Sequence, residues 1–276
     1  MQDSIITERQ IESGFWYFDR SKGFPYDIIT YPKEYTGQTR LAIACTQLWQ
    51  LSATEKKKVI NEWIELLPSC QNIERLWFTT HTTQKLFDSA CKLQNLIGLK
   101  IKWSNIKKLD NLSNLTKLKY LNIGSSSQVE SIIPLSGMSQ LEVLNIENFK
   151  KITDYTPISD LTNLQFFAIK GGMYTKQKVD SFEPFSKLTN LIYFSAVMIS
   201  CIDKRIDPLF KLKNLKTINW PFDITEKEMD RLKAELPNLK YLPHRYYESN
   251  MEKIKSMFND NESNMENIKS MFDVKK

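Results

Sequence analysis

The sequence predicts an α/β solenoid: a curved stack of short repeats with a parallel sheet on its concave side, an N-terminal cap and a C-terminal helical tail. Three observations predict it. First, one pattern recurs, an apolar residue, two others, an apolar residue, two others, then two apolar residues spaced by one. Its copies open at Cys70, Leu93, Leu115, Met138, Leu161, Leu188, Leu212 and Leu236, so successive starts lie 23, 22, 23, 23, 27, 24 and 24 residues apart. A fixed period of that size marks a stacked repeat protein. Second, each copy closes on two apolar residues spaced by two, the period of a strand. One such strand cannot bury its apolar face, so neighbouring copies must stack their strands into a parallel sheet, with the return segments forming the convex side. Third, the last part of the chain drops this period and duplicates a segment with helical spacing.

The copies read Leu93-Gln-Asn-Leu96-Ile-Gly-Leu99-Lys-Ile101, Leu115-Thr-Lys-Leu118-Lys-Tyr-Leu121-Asn-Ile123, Leu161-Thr-Asn-Leu164-Gln-Phe-Phe167-Ala-Ile169 and Leu188-Thr-Asn-Leu191-Ile-Tyr-Phe194-Ser-Ala196. This pattern resembles the leucine-rich-repeat family, in particular its short bacterial, internalin-like class of about 22 residues per repeat. The stretch Ile152-Thr-Asp-Tyr-Thr-Pro157-Ile158-Ser-Asp-Leu161-Thr-Asn-Leu164 is most similar to that class. The resemblance covers residues 70–242. The family usually places Asn at the turn after the strand; here Ser104, Ser126, Phe149 and Gly172 stand there, which predicts irregular turns and uneven curvature.

In chain order, residues 1–69 are expected to form the cap, residues 70–243 the solenoid and residues 244–276 a tail. Two aromatic or β-branched runs between Gly14 and Tyr31 flank a turn-prone Arg-Ser-Lys-Gly, which reads as a hairpin or irregular strands. A solenoid's first repeat exposes an apolar end, so Phe15, Trp16, Tyr17 and Phe18 read as cover for it. Leu41 to Cys45 is a plausible strand, and Ser52-Ala-Thr-Glu55 is a capping box ahead of a helix through Val59, Trp63 and Leu67. Thr225-Glu-Lys-Glu opens a similar helix near the other end, and Pro243 stops the repeat. True helices are therefore expected at both ends, with tighter turns between. In the tail, Glu248-Ser-Asn-Met-Glu-Lys-Ile-Lys-Ser-Met-Phe258 recurs fourteen residues later as Glu262-Ser-Asn-Met-Glu-Asn-Ile-Lys-Ser-Met-Phe272. Fourteen is two heptads, so Met251, Ile254, Phe258, Met265, Ile268 and Phe272 share one helical stripe, interrupted at Asn261. Such a helix oligomerises, binds a partner, folds back on its own solenoid or frays; the sequence leaves these open.

Composition narrows the chemistry. The 276 residues carry a net charge of +6 spread along the chain, without the concentrated basic stripe of a nucleic-acid binder. Cys45, Cys70, Cys91 and Cys201 contain no Cys-x-x-Cys pair and read as buried, reduced thiols, arguing against zinc and against a disulfide framework. Only His81 and His244 are present, and there are eight glycines in all, with no phosphate-cradling loop. No metal, cofactor or catalytic residues are expected, and the chain reads as a binder and not an enzyme. The polar residues 1–11 do not read as a secretory signal, and no apolar run is long enough to span a membrane, so cytoplasmic residence is expected, with delivery by a route lacking a classical signal left open.

The strand residues between the buried apolar positions should point out of the concave face and stack into columns. One column would hold Arg75, Gly98, Tyr120, Val143, Phe166, Tyr193, Thr217 and Tyr241. The second would hold Trp77, Lys100, Asn122, Asn145, Ala168, Ser195 and Asn219. A third would hold Thr79, Lys102, Gly124, Glu147, Lys170, Val197 and Pro221, edged by Trp103. Rigid aromatics beside charges are what protein hot spots are made of. Arg75, Trp77, Lys100, Lys102, Trp103, Tyr120, Asn122, Asn145, Glu147, Phe166, Lys170 and Tyr193 are therefore the candidate partner-binding residues. The alternative for the aromatics is packing on one another across neighbouring strands. The expected function is protein recognition on this face, its best specific form a bacterial immunity protein that neutralises a toxin. The alternatives are a scaffold that self-associates through the tail, or a host-directed effector. Neither a nucleic acid nor a membrane is an expected partner.

Overall fold

The computed structural model describes residues 27–220 and 224–240. The expected aromatic hairpin falls largely in residues 1–26, and the duplicated tail, Tyr241, Pro221 and His244 also lie outside the described residues.

Among the described residues, nine strands form one parallel sheet: β1 (Ile28–Ile29), β2 (Arg40–Ile43), β3 (Arg75–Thr82), β4 (Gly98–Ser104), β5 (Tyr120–Ile123), β6 (Val143–Glu147), β7 (Phe166–Lys170), β9 (Tyr193–Val197) and β11 (Thr217–Asn219), hydrogen-bonded in that order. Each pairs in register with the next, Leu76 with Leu99, Leu121, Leu144, Phe167, Phe194 and Ile218 in one continuous row. The period therefore sets the register: a one-residue slip would turn every inward leucine to the opposite face. The four apolar positions of each copy from Cys70 to Trp220 are buried, as the pattern requires.

The connections differ along the chain as expected. α1 (Ala53–Leu66) starts at a capping box in which Ser52 accepts from the Glu55 amide and Glu55 accepts from the Ser52 amide. Trp63 anchors it, fully buried, its indole N–H donating to Thr30 O at 2.7 Å. α2 (Gln84–Ala90) follows β3, and α3 (Glu226–Glu235) starts at the Thr225–Glu228 capping box. Between α2 and α3 the convex side is made of 3-10 turns, Asp110–Asn114, Ile133–Leu135, Thr156–Asp160, Glu183–Lys187 and Asp207–Lys211. Four contain a proline in their first two positions, where the fixed φ suits a tight start and the missing N–H costs nothing. β1 pairs parallel with β2, so the chain upstream of the first repeat already belongs to the main sheet.

The 27-residue repeat uses its extra residues for a second small sheet, β8 (Gln177–Val179) beside β10 (Ile199–Cys201). There Gly171 passes so close to the Met198 carbonyl that a Cβ would overlap it. The turns after the strands hold without a continuous asparagine ladder: Ser104 and Ser126 share a hydrogen bond at 2.6 Å, Phe149 is buried, and Asn148 adopts φ 61°.

A polar ladder does exist, at the opposite end of the strands. In the segment leading into the strand, Asn95, Asn163, Asn190, Asn214 and Asn238 each donate to a carbonyl of the preceding repeat, at 2.8–2.9 Å. Gln140 substitutes for one rung by donating to Leu115 O, and Lys117 for another by donating to Asn95 Oδ1. Asn163 and Asn190 are the Asn residues of Leu-Thr-Asn-Leu, and Asn95, Asn214 and Asn238 hold the same third position in Leu-Gln-Asn-Leu, Leu-Lys-Asn-Leu and Leu-Pro-Asn-Leu. Cys45, Cys70 and Cys91 are buried free thiols, that of Cys45 pushed up to about 12 by burial, whereas Cys201 is only half-buried.

Because each repeat is held only by its neighbours, a cavity in one layer weakens the whole stack. Leu164→Ala, at a fully buried position, is expected to cost about 2–5 kcal/mol in denaturant unfolding. Gly124→Ala, whose Cβ would overlap the Lys102 carbonyl, is expected to cost about 1–3 kcal/mol in the same assay although it adds a single methyl group.

Candidate functional site: the concave face

The expected columns assemble as strand rows. The first runs Arg75, Gly98, Tyr120, Val143, Phe166, Tyr193, Thr217, and the second Trp77, Lys100, Asn122, Asn145, Ala168, Ser195, Asn219. The third holds for Glu147, Lys170 and Val197 but breaks at its start. A bulge between Phe78 and His81 shifts β3, so Thr79 turns inward and donates to Ile43 O at 3.1 Å, while Trp103 pairs with His81. Lys102 and Trp103 are then both exposed, Trp103 at 36%.

The face divides into two regions of different chemistry. The first, over β3 and β4, is cationic and aromatic. Arg75 and Lys100 are half-buried, and the Lys100 ammonium sits 4.2 Å from the centroid of the half-buried Trp77 ring, a cation–π contact. Burial lowers the pKa of Lys100, and that of Arg75, which also feels the cationic Arg40 beside it in the sheet and is partly offset by Glu74. His81 meets Trp103 edge-on, ring centroids 4.5 Å apart, and the Trp103 indole N–H donates to Gln47 Oε1 at 3.2 Å. Trp49, 91% exposed, follows two residues after Gln47.

The second region, over β5 to β9, is a separate apolar cluster of Tyr120, Val143, Phe166, Ala168 and Tyr193, with Trp77 and Ile192 packed against it. Phe166 and Tyr193 stack with centroids 4.3 Å apart and planes 2° from parallel. Tyr120, Phe166 and Tyr193 are only 1%, 3% and 3% exposed, so the aromatics do pack across neighbouring strands. Burial holds the Tyr120 phenol well above its ordinary pKa, against a hydrogen bond from Asn122 Nδ2 at 3.2 Å. Asn122 and Asn145 are half-buried along its edge. Glu147 and Lys170 pair in register and are also half-buried: burial raises the Glu147 pKa and lowers that of Lys170, each opposed by the other's charge.

The twelve candidate residues thus lie on strands β3 to β9, four of them cationic and one anionic, with Trp103, next to Lys102 on β4, at the edge beside His81, but the aromatic trio occupies the buried part. Sequence reasoning missed His81, Gln47 and Trp49. His81 reaches the face through a bulge that no sequence period announces, and Gln47 and Trp49 precede the first repeat. Among the described residues no three His, Cys, Asp or Glu side chains gather where a metal ion could be held, and no helix is long and apolar enough to cross a membrane.

No protein-family model and no curated protein matches the sequence. Solved structures do match. An internalin from Listeria monocytogenes aligns over 74% of this chain and 54% of its own, at 20% identity and a TM-score of 0.51. Internalin C2 from the same organism aligns over 63% of this chain and 82% of its own, at 23% identity and TM-score 0.40. A leucine-rich-repeat protein from Leptospira interrogans aligns over 64% and 50%, at 16% identity and TM-score 0.45. This chain therefore spans about half the length of the first and third. With its own repeats and in-register sheet, the first likeness places the chain in the leucine-rich-repeat fold.

Two outcomes are expected at this face. The pKa of His81 is lowered from its ordinary 6.5 by burial, so below that pH the unfolded chain takes up a proton that the folded chain resists. Stability should fall as the pH drops below 6.5 toward the folded-state pKa, and His81→Gln should flatten that fall in denaturant melts. For the charged pair, Lys170→Met removes the charge that offsets burial of Glu147, so the Glu147 carboxyl should titrate at still higher pH, as read by NMR.

Proposed function

We propose that this chain is a non-enzymatic protein-recognition module that takes a partner protein on its concave face. The observation that carries the reading is the exposed cation–aromatic region over β3 and β4. There Trp103 and Lys102 stand exposed beside Trp77, Lys100 and Arg75 on a stiff sheet. Aromatic and guanidinium anchors on a preformed surface lose little conformational entropy on binding, which is what hot spots require. The excess of cations suits a partner that presents carboxylates, and the leucine-rich-repeat fold supports a protein as that partner.

The specific form that fits a small repeat chain is a cytoplasmic immunity protein covering a toxin's active site. Its support is analogy of fold and size. The duplicated segment of residues 248–272 favours a second reading, a scaffold assembled through that segment.

Affinity capture from native lysate, followed by titration of the captured protein, separates the two. Trp103→Ala is expected to weaken the Kd by about 30-fold, the cost of one hot-spot anchor of about 2 kcal/mol. Lys102→Glu should weaken it further by reversing a charge at the rim. Unchanged affinity in the double variant would overturn concave recognition, and capture of nothing but copies of this chain would favour the scaffold.

A further inference from the structure

A second polar surface runs along the foot of the sheet, beside the concave columns. The residue just ahead of each strand from β5 to β11, in turn Lys119, Glu142, Gln165, Ile192 and Lys216, lines one wall of a cavity of about 580 Å³. The side-chain amides of Gln140, Asn163, Asn190 and Asn214 line the other. Backbone bonds of 2.8–2.9 Å tie the first wall together, from Glu142 N–H to Lys119 O, Gln165 N–H to Glu142 O, Ile192 N–H to Gln165 O and Lys216 N–H to Ile192 O. The cavity is therefore a trough that advances one strand spacing per repeat and runs for about 19 Å. Its polar groups are held in place but not used up. Asn163, Asn190 and Asn214 each donate an N–H to the preceding repeat, which fixes the side chain and leaves its oxygen uncommitted. Gln165, midway along the first wall, is half-buried, and among the described residues its side-chain amide makes no hydrogen bond. At one end stands the half-buried pair Lys119 and Glu142, 2.7 Å apart. At the other, Lys216 is half-buried and forms no ion pair among the described residues.

We propose that this trough binds an extended, β-1,4-linked hexopyranose chain, one ring to each repeat. The chemistry of the walls favours hydroxyl groups. A side-chain amide presents donor and acceptor in one plane, and a sugar hydroxyl both donates and accepts, so neighbouring hydroxyls of one ring satisfy both halves of an amide. A half-buried amide with no partner inside the protein gains such bonds without first breaking others. Ile192, apolar among these polar neighbours, offers a contact for the C–H face of a ring. The pitch then selects the polymer. Rings of an extended β-1,4-linked chain advance by about one strand spacing each, so equivalent hydroxyls meet equivalent rungs. A polypeptide strand presents the same face every two residues, about 6.6 Å, and is out of step by the second rung. A nucleic acid needs several cations for its phosphates, and Lys119 is already neutralised by Glu142. No concave candidate residue lines the trough, so this site is independent of protein recognition on the concave face.

The test is an NMR titration of the full chain, labelled with nitrogen-15, with cellohexaose and with chitohexaose, followed at the side-chain amide signals. The signals of Gln165, Asn163, Asn190 and Asn214 are expected to shift with at least one of the two. Maltohexaose, whose α-linkages curl the chain out of step with the rungs, should leave them in place. Gln165→Ala should weaken the Kd for the β-linked sugar by about tenfold, and its denaturant midpoint should match that of the parent because the lost amide holds nothing in the fold. Absence of shifts with both β-linked hexamers would overturn the proposal, and so would an undiminished affinity in Gln165→Ala. Equal shifts with maltohexaose would overturn the match of pitch. Shifts at the same amides with a Gly-Ser decapeptide, and with neither β-linked sugar, would overturn it in favour of a polypeptide. Trp103→Ala should leave the sugar titration unchanged and Gln165→Ala should leave partner capture unchanged, so either reading can fail without the other.

Discussion

In-register parallel pairing of strands that cannot bury themselves is the constraint on which this molecule depends. Each strand offers two inward apolar residues, and the layer is complete only when the repeats on either side add theirs. The row from Leu76 to Ile218 is therefore one structure shared by seven strands. Irregularities are tolerated where they leave that row alone. The long repeat places its extra residues in β8 at the side, where they pair with β10 of the next repeat, and the bulge in β3 comes after Phe78, once the inward positions of that layer have been filled.

Holding such a stack together also means satisfying the carbonyls of the connecting segments, which have no partner within their own repeat. The Asn rungs do this from the segment ahead of each strand, tying each repeat to the one before it by a side-chain hydrogen bond in addition to the sheet. Where Asn is missing, Gln140 still reaches a backbone carbonyl with its longer side chain, whereas Lys117 donates to the side-chain oxygen of Asn95, so the tie between repeats is kept while its geometry varies. This explains how the turns after the strands can dispense with asparagine and still stay ordered, using paired serines at one level and a buried phenylalanine at another.

Most of the fold was legible because its signal is periodic. Seven of the copies specified seven of the sheet's nine described strands, with their register and inward residues, and the Ser52–Glu55 and Thr225–Glu228 boxes located two helices through local chemistry alone. The concave face was legible as a list of residues and less so as a surface. Strand alternation says which way Tyr120, Phe166 and Tyr193 point but does not decide between an open binding surface and a cluster that packs on itself, since that depends on residues of separate repeats. Nor could alternation foresee the bulge that turns Thr79 inward and brings His81 against Trp103. The polar ladder was present in the sequence as the Asn of Leu-Thr-Asn-Leu, but its function depends on a carbonyl some 25 residues earlier, a relation that becomes visible only when repeats are stacked.

The two regions of the concave face follow from how column spacing treats different side chains. Strand rows place equivalent residues about 4.8 Å apart, close enough for rings to stack and for like charges to repel. Aromatic residues in consecutive rows therefore close on each other, as Phe166 and Tyr193 do, and gain by excluding water. Cations in consecutive rows do the opposite unless something intervenes. Over β3 and β4 the intervening group is Trp77, whose ring face takes the Lys100 ammonium, leaving that charge held in place but with a lowered pKa. A charge fixed in this way has already lost part of its hydration and of its rotamer freedom, so an incoming carboxylate has less of either to remove. On the proposed reading, the buried column stiffens the sheet, and the cation–aromatic region beside it is where that stiffness is converted into selectivity.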